Sequence, residues 1–294
     1  MTRLLITGAR GQLGSDLLRA AAAAGIDAHG LGSADLDITD AAAVHAAVTT
    51  FSAAGDRPAV IINAAAYTAV DAAQTNPDDA FAVNVTGAAN LARAAVSQGL
   101  GLIHVSTDYV FPGDGTRPYE IDDPTGPRSV YGSTKLAGEQ AVRAAHPGAH
   151  VVRTAWVYGV GGPNFVKTMA LLESRHDTIT VVDDQRGSPT WSADLAAGLI
   201  ELAGSDVPGG VLHATGAGET TWWGLARAVF AELGADPDRV LPTTTEAFPR
   251  PAPRPAYSVL SGRAWSEAGL APLGNWRTAL ATAFAAHRSG FVPS

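Results

Sequence analysis

Cysteine is absent from the 294 residues. Disulfides, thiolate-held zinc and thiol catalysis are therefore excluded together. Charge is scarce as well: charged side chains make up 16% of the chain, against about 25% in an average globular protein. Apolar residues reach 46%, enough for a sizeable core, so the chain as a whole is not disordered. No uninterrupted apolar run approaches the roughly 20 residues of a membrane span. Met1-Thr2-Arg3 leads directly into a strand pattern without the basic and apolar regions of a secretory signal. A soluble, cytoplasmic protein that meets no membrane is expected. Basic residues are few: 20 Lys and Arg against 28 Asp and Glu leave a net charge of -8. Such a surface is unsuited to general nucleic-acid binding, although it allows one pocket for phosphates. The eight histidines show no H-x-x-x-H or related spacing, so they predict no metal site.

What is present in the first half is alternation. Leu4 to Thr7, Ala28 to Leu31, Val60 to Asn63, Ile103 to Ser106 and Val151 to Thr154 read as strands. Helical patterns lie between, among them Ala80 to Ser97 and Val130 to Ala144. Strands separated by helices imply crossovers and a parallel sheet. Apolar strands without polar alternation fit a sheet covered on both faces. After Trp156 the rhythm loosens, and Pro249 to Pro255 must run extended, because alternate prolines forbid helix and inner strand. The expected organisation is a dinucleotide-binding domain over residues 1–155 and mainly a substrate lobe over 156–294, with parts of 165–230 returning to the first domain.

Gly8, Gly11 and Gly14 follow the first strand and open the first helix. Glycines there permit a tight turn and close approach of a pyrophosphate to free helix amides. The end of the second strand, Leu31-Gly32-Ser33, carries no carboxylate to repel a 2′-phosphate. Arg10 and Ser33 stand where they could contact one, so the reading favours NADPH, with NADH tolerated. Asp37-Ile38 could receive the adenine; Asp37 and Thr39-Asp40 also read as a capping signal for the helix from Ala41.

Tyr131 and Lys135 are four residues apart in a helical pattern and share one face. A phenol is a poor acid–base group at neutral pH until a neighbouring cation stabilises the phenolate. Ser106 and Thr107 end a strand 24 to 25 residues earlier, where open parallel sheets face their ligands.

These features resemble the extended short-chain dehydrogenase/reductase family. Five further strings narrow the likeness to its dTDP-4-dehydrorhamnose reductase branch: Asn63 to Asp71, Ser106 to Phe111, Tyr131 to Glu139, Arg153 to Tyr158 and Asp184 to Thr190. The resemblance implies a Rossmann-type doubly wound parallel sheet with a smaller C-terminal α/β substrate lobe. It also implies NADPH-dependent reduction of the C4 keto group of dTDP-4-dehydro-β-L-rhamnose to dTDP-L-rhamnose, with Tyr131 as proton donor, Lys135 tuning it and Thr107 polarising the carbonyl. Gly8, Arg10, Gly11, Gln12, Leu13, Gly14, Asp37, Ile38, Ala64, Ala65, Ala66, Tyr67, Val105, Tyr131 and Lys135 would then hold the cofactor. Thr68, Val70, Thr107, Asp108, Tyr109 and Trp156 would meet the substrate, and Arg254 its phosphate. Another nucleotide-linked keto-sugar, a 4-epimerase, or a non-catalytic regulatory subunit of methionine adenosyltransferase are the alternatives. Two departures stand out. The family string ends in Glu where this chain has Gln74. Relatives that dimerise around a metal use carboxylates near the C-terminus, whereas residues 268–294 contain neither Asp nor Glu. A monomer without structural metal is expected.

Overall fold

The computed structural model describes residues 2–55 and 58–292. β1 (Arg3–Thr7) is buried along its whole length. Leu4 and Ile6 enter one core with Leu17, Ile62, Ile103 and Val152, while Leu5 enters another with Ile61, Leu91 and Leu102. Side chains alternate across a strand, so a strand with three successive apolar residues, Leu4 to Ile6, requires cover on both faces. α1 (Gln12–Ala23), β2 (Ala28–Leu31), α2 (Ala41–Ala53) and β3 (Ala59–Asn63) follow. The helical stretch α3 (Val70–Thr75), α4 (Pro77–Phe81) and α5 (Ala88–Ser97) leads to β4 (Gly101–Thr107), α6 (Val130–Ala145) and β5 (His150–Thr154). The strands are parallel in the order β2-β1-β3-β4-β5, with Gly210–His213 as the sixth. The winding reverses between β1 and β3, which opens a crevice at their C-terminal ends.

The continuous helix expected over Ala80 to Ser97 is interrupted. A π-helical stretch, Ala82–Gly87, separates α4 from α5. It turns Asn84 inward, where the side chain accepts from Tyr67 N at 2.9 Å and donates to Thr134 Oγ1 at 3.0 Å. Tertiary hydrogen bonds thus override the local helical pattern, as is common for π insertions at functional sites.

In the second half, strands Ile179–Val182 and Val240–Thr243 pair in parallel. With helices Phe165–Glu173, Trp222–Leu233 and Trp276–Phe291 they enclose a separate core that includes Val166, Phe230, Val240 and Phe284. Helix Ser192–Ala203 packs on α1 and places Leu195 and Leu199 in the core of the large sheet. The proline-rich segment is irregular and is tied down by Asp71, which accepts from Arg250 Nε at 3.0 Å and Ala252 N at 3.2 Å and pairs with Arg254 at 2.9 Å.

Candidate active site

A continuous cleft of about 1260 Å³ runs along the C-terminal ends of β1, β3, β4 and β5. Its floor at one end is the glycine turn. Gly8 has φ +70°, and a Cβ there would lie 2.6 Å from Ala65 N. Only glycine therefore lets the turn after β1 seat against Ala64 and Ala65 after β3. Gly11 caps α1 with no side-chain partner for the first amides and no carboxylate in the first turn. Those amides and the positive end of the helix dipole suit a phosphate group. Gly14 and Leu13 line the same wall. Gln12 donates to Val157 O at 2.9 Å and so joins the turn to the second half.

One expectation about this end of the cleft does not hold: the strand end does have a carboxylate. Asp35 lies four residues beyond Leu31, and the chain doubles back to bring it there. Its Oδ2 accepts from Gly32 N at 2.9 Å, and its Oδ1 pairs with Arg10 at 3.1 Å. Arg10 and Ser33 both border the cleft, but the Arg10 guanidinium is engaged. Asp37 and Ile38 lie on the cleft as well. Asp37 Oδ1 accepts from Thr39 N and Oγ1, which lowers its pKa. Asp40, not Asp37, caps α2 through Ala42 N and Ala43 N.

Ala66, Tyr67, Thr68 and Val70 continue the wall after β3. β4 and α6 supply the polar centre, where Val105, Thr107, Asp108, Tyr109, Tyr131 and Lys135 converge. α6 starts at Val130 because Ser129 accepts from Gly132 N at 3.1 Å and Gln74 Oε1 accepts from Val130 N at 2.7 Å. Gln74, the departure from the family string, thus binds the first turn of the helix that carries Tyr131. Tyr131 is buried, and burial pushes its phenol up to about 12, with the Thr107 hydroxyl pulling the other way. Lys135 Nζ donates to Val105 O at 2.7 Å. Burial lowers its pKa to about 8, opposed by the negative charge of Glu139.

Thr107 Oγ1 accepts from Tyr109 N at 3.2 Å and donates to Asp108 Oδ1 at 2.9 Å. Burial raises Asp108 to about 6. Thr154 Oγ1, also on the cleft, is buried without a partner. A buried hydroxyl of this kind calls for a ligand or water to bond it.

Trp156 reaches the cleft from the end of β5 with φ +48°, a left-handed conformation that costs a bulky residue about 1–3 kcal/mol. Arg254 is the one predicted site residue placed off the main cleft. It borders a small neighbouring recess with Tyr109 and Arg128, because Asp71 and Ala252 O hold its guanidinium there. Among the described residues no group of three His, Asp or Glu side chains is placed to hold a metal ion.

The family model described as RmlD substrate binding domain matches residues 1–289. The chain belongs to that family. The dTDP-4-dehydrorhamnose reductase of Mycobacterium tuberculosis is 55% identical over 97% of this chain and 93% of its own. That of Streptomyces griseus is 53% identical with the same coverage. The crystal structure of the Bacillus anthracis dTDP-4-dehydrorhamnose reductase in complex with NADP superimposes with a TM-score of 0.91, at 37% identity, over 97% of this chain and 99% of that one. The mixed α/β fold around a parallel sheet is thus that of Rossmann-type reductases.

For this member of the RmlD family, three residues on the cleft or bonded to its lining are not placed there by the local sequence. Asn84 sits inside an alanine-rich helix pattern, and nothing local marks its π turn. Asp35 is four residues past the strand end and reaches it only through the turn. Trp222, on the far cleft wall, follows the second Thr of a Thr-Thr pair (Thr221) that caps its helix; the cap was a legible signal, the wall was not.

Proposed function

We propose that the chain catalyses NADPH-dependent reduction of the C4 keto group of dTDP-4-dehydro-β-L-rhamnose to dTDP-L-rhamnose. The observation that carries this is the meeting of Tyr131, Lys135 and Thr107 on the cleft that also receives the uncapped start of α1. The residues fit a nicotinamide dinucleotide: the Gly8–Gly14 turn suits the pyrophosphate, Asp37 and Ile38 the adenine, and Ala64 to Tyr67, Val105 and Lys135 the remaining length. When bound, NADPH supplies the hydride.

The chain's own part is the proton and the orientation of the sugar. Tyr131 stays a neutral phenol through the neutral range and gives its proton to the oxygen of the reduced carbon. Lys135, protonated below about pH 8, favours the phenolate left behind. Thr107 turns its hydroxyl from Asp108 to the substrate carbonyl, which frees an Asp108 oxygen for a sugar hydroxyl. Thr68, Val70, Tyr109 and Trp156 border the sugar, and Arg254 receives a phosphate if its hold on Asp71 is exchanged. The enzyme works as a cytoplasmic monomer; gel filtration that shows a metal-dependent dimer would overturn that.

The test is NADPH oxidation with dTDP-4-dehydro-L-rhamnose generated in the cuvette by a 3,5-epimerase. Consumption with dTDP-rhamnose as product supports the proposal. Protein that binds NADPH yet consumes none with this sugar overturns it.

A further inference from the structure

Trp222 is the first residue of helix Trp222–Leu233, which Thr221 caps by accepting from Gly224 N at 3.1 Å. Its indole lies flat on that of Trp156, with ring centroids 3.5 Å apart and planes 5° from parallel. Phe165 packs beside it at 4.6 Å. Both indoles border the cleft that holds Tyr131 and Thr107. The stack is fixed from two sides. Trp222 Nε1 donates to Gln185 Oε1 at 3.1 Å, and the buried Gln185 donates in turn to Thr245 Oγ1 at 2.9 Å. Gly187 leaves the space that the Trp156 ring takes, since a Cβ there would collide with it. The Asp184 to Thr190 string, which supplies no reacting group, therefore serves to hold two tryptophans at the cleft.

A structural core would not need this arrangement. Trp156 keeps a left-handed backbone to present its ring, and strain of that kind persists where function requires it. Trp222 remains only partly buried and keeps its one polar atom bonded away from the cleft. What faces the cleft is thus apolar π surface, next to the polar pair that would grip a carbonyl and a hydroxyl. A 6-deoxyhexose offers a matching partner: hydroxyls on one side, and ring C–H groups with a methyl on the other.

We infer that Trp222 is a substrate-contacting, specificity-determining residue that receives the apolar side of the deoxysugar, and that Gln185 is the positioning residue that aims it. This rests on the nucleotide-sugar reading above. The pairing excludes a sugar whose C6 is hydroxylated, because burying that hydroxyl against indole leaves it without a partner.

The experiment measures KM for the nucleotide sugar and for NADPH in the full-length enzyme and its variants. Trp222→Ala is expected to raise the sugar KM about tenfold, the scale of a lost aromatic contact, with the NADPH KM unchanged. Trp222→Phe, which keeps the stack but not the N–H, falls between. Gln185→Leu raises the sugar KM while NADPH affinity holds. If Trp222→Ala does not fold, the other two variants carry the test. An unchanged sugar KM, or parallel loss of sugar and NADPH affinity, overturns the inference alone. A wild-type enzyme with no turnover of the nucleotide sugar overturns the functional reading, and the inference with it.

Discussion

Glu139 and Arg153 form a buried two-point ion pair, Nε to Oε1 at 2.9 Å and Nη2 to Oε2 at 2.7 Å. Glu139 lies one helical turn after Lys135, and its Oε1 also accepts from Ser106 Oγ at 2.5 Å. The pair therefore ties α6, which carries Tyr131 and Lys135, to β4 and β5. Glu139→Ala would strand the Arg153 charge in the core and is expected to destabilise by about 3–5 kcal/mol. Urea unfolding measures it; a change below 1 kcal/mol, roughly the worth of an exposed pair, would show that the pair does not carry this load.

The same carboxylate sets a pH limb. Lys135 sits at about 8, with Glu139 holding it up. As pH rises through that value the ammonium is lost, so kcat is expected to fall. Glu139→Gln removes the supporting charge and should move the fall to lower pH. A limb that stays in place in this variant would detach it from Lys135.

Tyr131→Phe removes only the phenolic oxygen from a buried ring. It is expected to lower kcat by about 10²–10⁴-fold, the worth of general acid catalysis, with the unfolding midpoint nearly unchanged. Near-normal turnover would mean that another group gives the proton.

Burial of the Asp108 carboxyl costs stability once that group is ionised. Its pKa is raised from 3.8 to about 6, so the native state holds this proton more tightly than the unfolded chain does. Stability through this group is fully kept below pH 4, falls as pH rises to about 6, and stays lowered above. The full effect is about 3 kcal/mol at 1.36 kcal/mol per pH unit. Asp108→Asn should be more stable than wild type at pH 7.5, and the difference should vanish toward pH 4. Equal stability of the two proteins at pH 7.5 would refute it.

Arg10 and Asp35 form an exposed pair, which is worth at most about 1 kcal/mol, so a 2′-phosphate can displace the carboxylate. Arg10→Ala is expected to narrow the kcat/KM preference for NADPH over NADH. Asp35→Ala is expected to widen it, because the competing and repelling charge is gone. Ratios unmoved in both variants would place 2′ discrimination elsewhere.

The strands, the glycine turn and the Tyr131–Lys135 face were legible because each depends on neighbours in the chain: apolar runs, a permissive turn, a spacing of four. Gly8 announces its turn, whereas the Ser129 cap of α6 is seen only in the structure. The sequence by itself thus determined the parallel sheet, the glycine turn after β1 and the shared face of Tyr131 and Lys135. Only the tertiary structure decided what binds across distance. It broke the Ala80 to Ser97 helix so that Asn84 could bond Tyr67 and Thr134. It returned Asp35 to the strand end, drew Arg254 to Asp71 and laid Trp222 on Trp156. Those contacts join residues 66 to 183 positions apart, except for Asp35, Tyr67 and Thr134, whose closer partners need a π turn or a reversal of the chain. Local propensity carries no record of such partners, because the energies that select them arise only when the backbone has closed.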